Sequence, residues 1–230
     1  LLVKYGYKYA TYILAPNCCD CGLYNFKKIG FNGCFELTYL NHSFVPKKET
    51  IKHLFGNKNR FYIIRVVNLN AHHDNGKKGI SNEILNRIVD HLISFGTVHI
   101  STERNLPKNL EKFQIRLEPH LMHNALYFAN LFIGDSQTMS AEAAILGTPT
   151  IRFNDFVGKL SYLQELESKH NLCFGFNSSQ EIQLQNKLEE LISNPKLKED
   201  WLIKRKLMLA KSDDITSFLI NLFDKYPQSL

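Results

Sequence analysis

Leu131-Phe-Ile-Gly-Asp-Ser-Gln-Thr-Met-Ser-Ala-Glu-Ala-Ala-Ile-Leu-Gly-Thr-Pro-Thr-Ile-Arg-Phe153 reads as strand, helix and strand in succession. Leu131–Asp135 is an apolar run that stops abruptly at polar residues, as a buried strand does on reaching the edge of its sheet. Small and helix-compatible residues follow over about Thr138–Leu146, with Ser136 at the capping position. Gly147 then ends the helix, and Gly147-Thr-Pro149 turns the chain into a second strand at Thr150–Phe153. A strand, a short helix and a strand in 23 residues is a βαβ unit, whose two strands lie parallel.

The same rhythm extends both ways. Upstream, Phe61–Val67 is a β-branched and aromatic strand, followed by a polar loop to Gly79. Ser81 caps a helix with Ile84, Leu85, Ile88, Val89 and Leu92 at helical spacing. Thr97–Ser101 is a strand, Phe113–Leu117 is expected to be another, and a helix covers about Leu121–Asn130. Downstream, a helix at Lys159–His170 precedes a strand at Leu172–Phe176. Ser178-Ser-Gln-Glu181 has the capping-box pattern and opens a helix to about Ile192. A basic amphipathic helix ends near Lys211, and Asp213 or Asp214 caps the last one. This alternation predicts an α/β fold, a Rossmann-like parallel sheet with helices on both faces, over residues 59–211. Residues 1–58 break the rhythm and are too few to build a sizeable core alone. They are expected to be the trailing part of an N-terminal lobe, with residues 212–230 forming a helix that packs back toward it. The chain thus reads as a piece of something longer, and its start at Leu1 agrees with that.

Composition excludes several classes. Of the 230 residues 44% are apolar and 22% charged, the balance of an ordinary globular protein. No apolar run approaches the roughly 20 residues of a membrane span. The net charge of +6 would suggest a nucleic-acid partner, but its distribution argues otherwise. Residues 1–60 hold nine Lys/Arg against three Asp/Glu, whereas residues 61–230 hold nineteen of each. No nucleic-acid partner is expected; the basic N-terminal quarter suits contact with an acidic membrane surface. Five cysteines without a secretory leader point to reduced thiols, a cytoplasmic location and a position at the inner face of the membrane at most.

In open α/β sheets ligands bind at the carboxyl ends of strands, where helices begin. Two loops carry suitable chemistry. Ser136, Gln137 and Thr138 place hydroxyls, an amide and free backbone N–H groups at a helix start, which receives phosphate without needing a lysine. Glu142 lies one turn beyond Thr138, where a carboxylate can accept both hydroxyls of a ribose. The plainer alternative, a simple cap with a solvated glutamate, stays open on spacing alone. The second loop, Ala71-His-His-Asp-Asn-Gly76, offers His72 and His73 as donors or proton carriers near neutrality.

Gly134-Asp-Ser-Gln-Thr-Met-Ser-Ala-Glu142 with Gly147-Thr-Pro149 resembles the nucleotide-sugar site of GT-B-type proteins. It is similar to the motif of non-hydrolysing UDP-N-acetylglucosamine 2-epimerases and, more loosely, of GT-B glycosyltransferases. Over nearly the whole chain, including Phe35-Glu-Leu-Thr-Tyr-Leu40, the sequence resembles a family of that superfamily known only as domain of unknown function 354. The resemblance implies the C-terminal lobe of a GT-B architecture, the donor-binding half of a glycosyltransferase or sugar-nucleotide epimerase in surface polysaccharide or glycan synthesis. It implies diphosphate at Ser136–Thr138, ribose on Glu142, and a histidine, His72 with His73 behind it, facing the donor diphosphate. A UDP-sugar is the expected ligand. Gln137-Thr138 stand where the epimerase pattern has Gly-Gly, so side chains narrow the approach to the diphosphate. A non-catalytic binding or assembly protein on the same scaffold is the alternative.

Two buried-strand arginines invite roles. Arg65 is expected to pair structurally, and Arg152 to reach the cleft through the Asn154-Asp155 loop. Glu118-Pro-His120 would contact a nucleobase by analogy. Neither Cys18-Cys-Asp-Cys21 with Cys34 nor His72-His-Asp74 has common metal-ligand spacing, so no metal site is expected. No cofactor is expected, neither a Walker loop nor a dinucleotide fingerprint being present. Homo-oligomerisation stays open.

Overall fold

The computed structural model describes residues 2–56, 59–68 and 78–228. A short helix, α1 (Leu2–Tyr9), leads into strand β1 (Ile13–Pro16), and a 3-10 turn at Gly22–Lys27 leads to β2 (Lys28–Phe31). These two strands pair in parallel as a separate ribbon. Lys27 closes it: its ammonium donates to the carbonyls of Tyr7, Lys8 and Ala10 at 2.7–3.2 Å, satisfying groups that the end of α1 leaves open. One turn of helix, α2 (Leu37–Leu40), and a kinked 3-10 stretch at Lys48–Leu54 lead to the main sheet.

The main domain alternates β3 (Phe61–Val66), α3 (Asn82–Leu92), β4 (Thr97–Thr102), α4 (Met122–Phe128), β5 (Leu131–Gly134), α5 (Gln137–Ile145), β6 (Thr150–Phe153), α6 (Ser161–Ser168) and β7 (Cys173–Phe176). Helices α7 (Glu181–Ser193), α8 (Leu197–Leu209) and α9 (Ile215–Asp224) complete it. The five strands are all parallel, in the order β4-β3-β5-β6-β7. Phe61–Ile64, Leu131–Gly134 and Thr150–Phe153 are buried throughout, which explains the apolar runs of the first two and encloses Arg152 in the third. Helix α3 buries the five apolar residues that its spacing selects, and the Ser81 hydroxyl accepts from Ile84 N as its cap. Helix α5 is packed against β5, β6, α2, α4 and α6 at once. Its small residues, Ser140, Ala141, Ala143 and Ala144, allow that close approach from every side. At its end Gly147 adopts φ +75°, a left-handed turn natural to glycine, and the Arg205 guanidinium of α8 donates to Ile145 O. Helix α9 lies on α2, with Thr216 donating to Thr38 O and Phe218 against Phe31.

The fold is therefore the predicted Rossmann-like sheet with helices on both faces. Two local expectations fail. Phe113–Leu117 is not a strand: Glu111–Phe113 is a 3-10 turn, and only Gln114 bridges to Ile100 at the open edge of β4. Arg116 interrupts the apolar run there, and Pro119 removes the next donor. The capping box at Ser178–Glu181 does not form. Asn177 Oδ1 instead accepts from Ser179 N and Ser179 Oγ, and Glu181 pairs with Arg87 of α3. A local Asx turn and a tertiary ion pair outcompete the reciprocal cap. Among the described residues no helix is long and apolar enough to cross a membrane.

Candidate functional site

The strand order sets the place. Numbered within the sheet it is 2-1-3-4-5, the flavodoxin-like order, in which the chain reverses direction between its first and third strands. Here those strands are β3 and β5, and a cleft of about 450 Å³ opens at their carboxyl ends. Asn68, Lys78, Ser81, Arg104, Asp135 and Ser178 line it.

Asp135, the first residue beyond β5, forms its floor and is 2% exposed. Its Oδ1 accepts from Val67 N at 2.8 Å and its Oδ2 from Ile80 N at 3.2 Å. One carboxylate thus holds both ends of the connection that follows β3. Gly79 permits this: a Cβ there would lie 2.6 Å from Oδ2. Burial pushes the Asp135 carboxyl up to about 6, against the opposing pull of the two N–H donors and the Arg104 charge. Arg104 donates to Ile80 O, and its Nε is buried without a partner among the described residues. Asp155 joins the two sides of the rim, accepting from Lys78 N and Ser178 N.

On the other side of β5 lies the start of α5. Ser136 caps it, Oγ accepting from Met139 N at 3.4 Å, and Thr138 is exposed. Gln137, beside it, is half-buried. Its side chain folds inward, Oε1 accepting from Arg152 Nη1 at 3.1 Å. Arg152 itself is fully buried and ion-paired to Glu167 at 3.1 Å, so it meets the rim through Gln137 rather than through the Asn154-Asp155 loop. Arg65 donates to Ser101 and pairs with Glu103. His72 and His73 lie outside the described residues.

Glu142 is not solvated surface. It is 9% exposed, and its Oε1 accepts from Tyr39 Oη and from His123 Nε2, each at 3.1 Å. Helices in a parallel sheet begin at its carboxyl edge. The first turn of α4, carrying His123, therefore shares a rim with the first turn of α5, and Tyr39 reaches over from α2. The exposed turn at Pro119–Leu121, with Glu118 and His120, precedes His123 on the same rim. Sequence reasoning missed Asp135, Arg104, Tyr39 and His123. Asp135 was legible as a carboxylate directly after a buried strand. No spacing signals that Tyr39 and Glu142, 103 residues apart, share a bond.

No family model matches the chain, and no curated protein matches it. Solved structures do. The calicheamicin glycosyltransferase CalG4 superposes with a TM-score of 0.51 at 12% identity, over 90% of this chain and 50% of that one. The spinosyn forosaminyltransferase SpnP gives 0.53 at 15% identity, over 94% and 56%. The likeness is one of fold. It shows the Rossmann-like lobe of the GT-B kind, and the chain spans about half the length of either structure.

Proposed function

We propose that this chain is the donor-binding lobe of a GT-B-like nucleotide-sugar enzyme, a glycosyltransferase or a sugar-nucleotide epimerase, with a UDP-sugar as its ligand. The observation that carries the reading is a polar cleft at the switch point, ending at Asp135 just before α5, together with an ordered carboxylate in the second turn of that helix. The N–H groups of Gln137 and Thr138 in the first turn of α5 would receive the diphosphate. Arg104 and Lys78 supply positive charge across the cleft. Glu142 would take the ribose hydroxyls. Among the described residues both of its bonds to protein fall on Oε1, which supports Oε2 as the atom offered to ligand. Gln137, held by Arg152, acts here as a spacer that keeps the helix start open, and Arg152 supports the site from behind. His72, with His73 beside it, would assist charge developing on the leaving diphosphate. On this reading residues 1–58 are the trailing part of an N-terminal lobe toward which residues 212–230 pack back, and membership of the family known as domain of unknown function 354 belongs to the same proposal.

The test is calorimetric titration of UDP, other nucleoside diphosphates and UDP-sugars against the wild-type chain and Glu142→Gln. Wild type should bind at least one nucleoside diphosphate, and Glu142→Gln should weaken it by about tenfold or more, the scale of a hydrogen bond to a charged group. Failure of every nucleotide to bind would remove the reading. Binding indifferent to Glu142→Gln would remove the ribose assignment.

A further inference from the structure

Glu142 combines near-complete burial with a formal charge, and such a group persists only where donors converge on it. Two do, from separate segments: Tyr39 Oη from α2 and His123 Nε2 from the first turn of α4. A carboxylate oxygen only accepts, so Nε2 must carry the hydrogen, and this fixes the imidazole tautomer. Both donors are themselves held. The rings of Tyr39 and His123 lie 5.5 Å apart, and Phe44 meets the imidazole edge-on at 6.3 Å. Helix α2 is anchored through Thr216 on Thr38 O and through Arg205 on Leu40 O. Burial and the Glu142 charge push the Tyr39 phenol up, so it remains a donor throughout the neutral range. Among the described residues both bonds fall on Oε1, so the carboxylate has a set rotation and no described residue bonds Oε2.

We propose that Tyr39 and His123 are positioning residues that hold Glu142 so that Oε2 meets the vicinal diol of a nucleotide's ribose, making the site selective for ribonucleotides. The proposal rests on the reading of Glu142 given above and deepens it, since selectivity is assigned to two residues that need not touch the ligand. Conserving the glutamate alone would then not conserve the preference.

The experiment titrates UDP and 2′,3′-dideoxy-UDP, by calorimetry, into the full chain and into Tyr39→Phe, His123→Ala and His123→Gln. Wild type should prefer UDP by about tenfold or more, as expected of hydrogen bonds to a charged acceptor. Tyr39→Phe and His123→Ala should each cut that preference to within about threefold while leaving the dideoxy affinity nearly unchanged. His123→Gln, whose amide can donate from near the Nε2 position, should recover most of it. An unchanged preference in both loss variants overturns the positioning roles and leaves the Glu142 assignment standing. Equal weakening of both nucleotides in the variants also overturns them, since that is the mark of general structural damage. A wild type that binds both nucleotides equally overturns the ribose assignment, and with it this inference.

Discussion

Asp135 shows how a single side chain can serve structure against its own electrostatics. It is an acid at the bottom of a cleft, kept there by two backbone donors. Its folded pKa of about 6 lies above the ordinary 3.8, so the folded protein binds the proton more tightly than the unfolded chain does. Its contribution to stability is therefore complete below about pH 4 and is lost as pH rises through 6. Chemical denaturation of wild type and Asp135→Asn across pH 4 to 7 should reveal this. The stability difference should move against wild type by on the order of 2 kcal/mol over that window, whatever fixed cost the asparagine carries. A pH-independent difference would exclude Asp135 as the titrating group. At this scale the sequence was only half legible. Ser136, Gln137, Thr138 and Glu142 form a visible local run, but Gln137's inward turn depends on Arg152, and Glu142's environment on Tyr39. Bonds between residues distant in the chain leave no period or spacing to read.

Elements were far more legible, because strands buried on both faces and amphipathic helices write their burial directly into the order of residues. Phe61–Ile64 and Leu131–Gly134 are apolar for their whole length, and α3 presents its five core residues at helical spacing. The failures at Phe113–Leu117 and Ser178–Glu181 came where a short pattern had a tertiary competitor. Helix α5 allows a sharp test of what ends an element. Gly147 holds a left-handed φ, and a Cβ there would meet the Arg205 side chain at 3.0 Å. Gly147→Ala should cost about 1–2 kcal/mol in urea denaturation, combining backbone strain with displacement of the arginine that closes α5. Gly6, with φ outside the left-handed region and open space around its Cβ, supplies the control: Gly6→Ala should be neutral or slightly stabilising.

The whole molecule is a five-stranded parallel sheet with a two-stranded ribbon attached through α2 and α9, and its overall charge describes neither its fold nor its site. The positive excess lies in residues 1–60, where Lys27 and Lys28 close backbone turns. Ligand linkage acts at this scale. If the proposed site is real, UDP at 100 times its dissociation constant should stabilise the chain by about 2.7 kcal/mol. For a protein of this length that corresponds to a rise in melting temperature of roughly 5–10 °C. Differential scanning calorimetry with and without UDP would measure it, and a tenfold weaker Glu142→Gln should lose about half of the rise at the same UDP concentration.

The Asp135 clamp has a consequence for how such a lobe can change. Because Val67 and Ile80 are fixed by the same carboxylate, the span between them is closed at its base independently of what it contains. Its sequence and length are then uncoupled from the sheet. Doubling the span between Asn68 and Lys78 with glycine and serine should cost only about 0.6 kcal/mol, the entropy of closing a longer loop on ends already joined. The same insertion in Asp135→Ala, where no single carboxylate joins Val67 to Ile80, should cost measurably more. A scaffold built this way can exchange the peptide between Asn68 and Lys78 while the five strands keep their register.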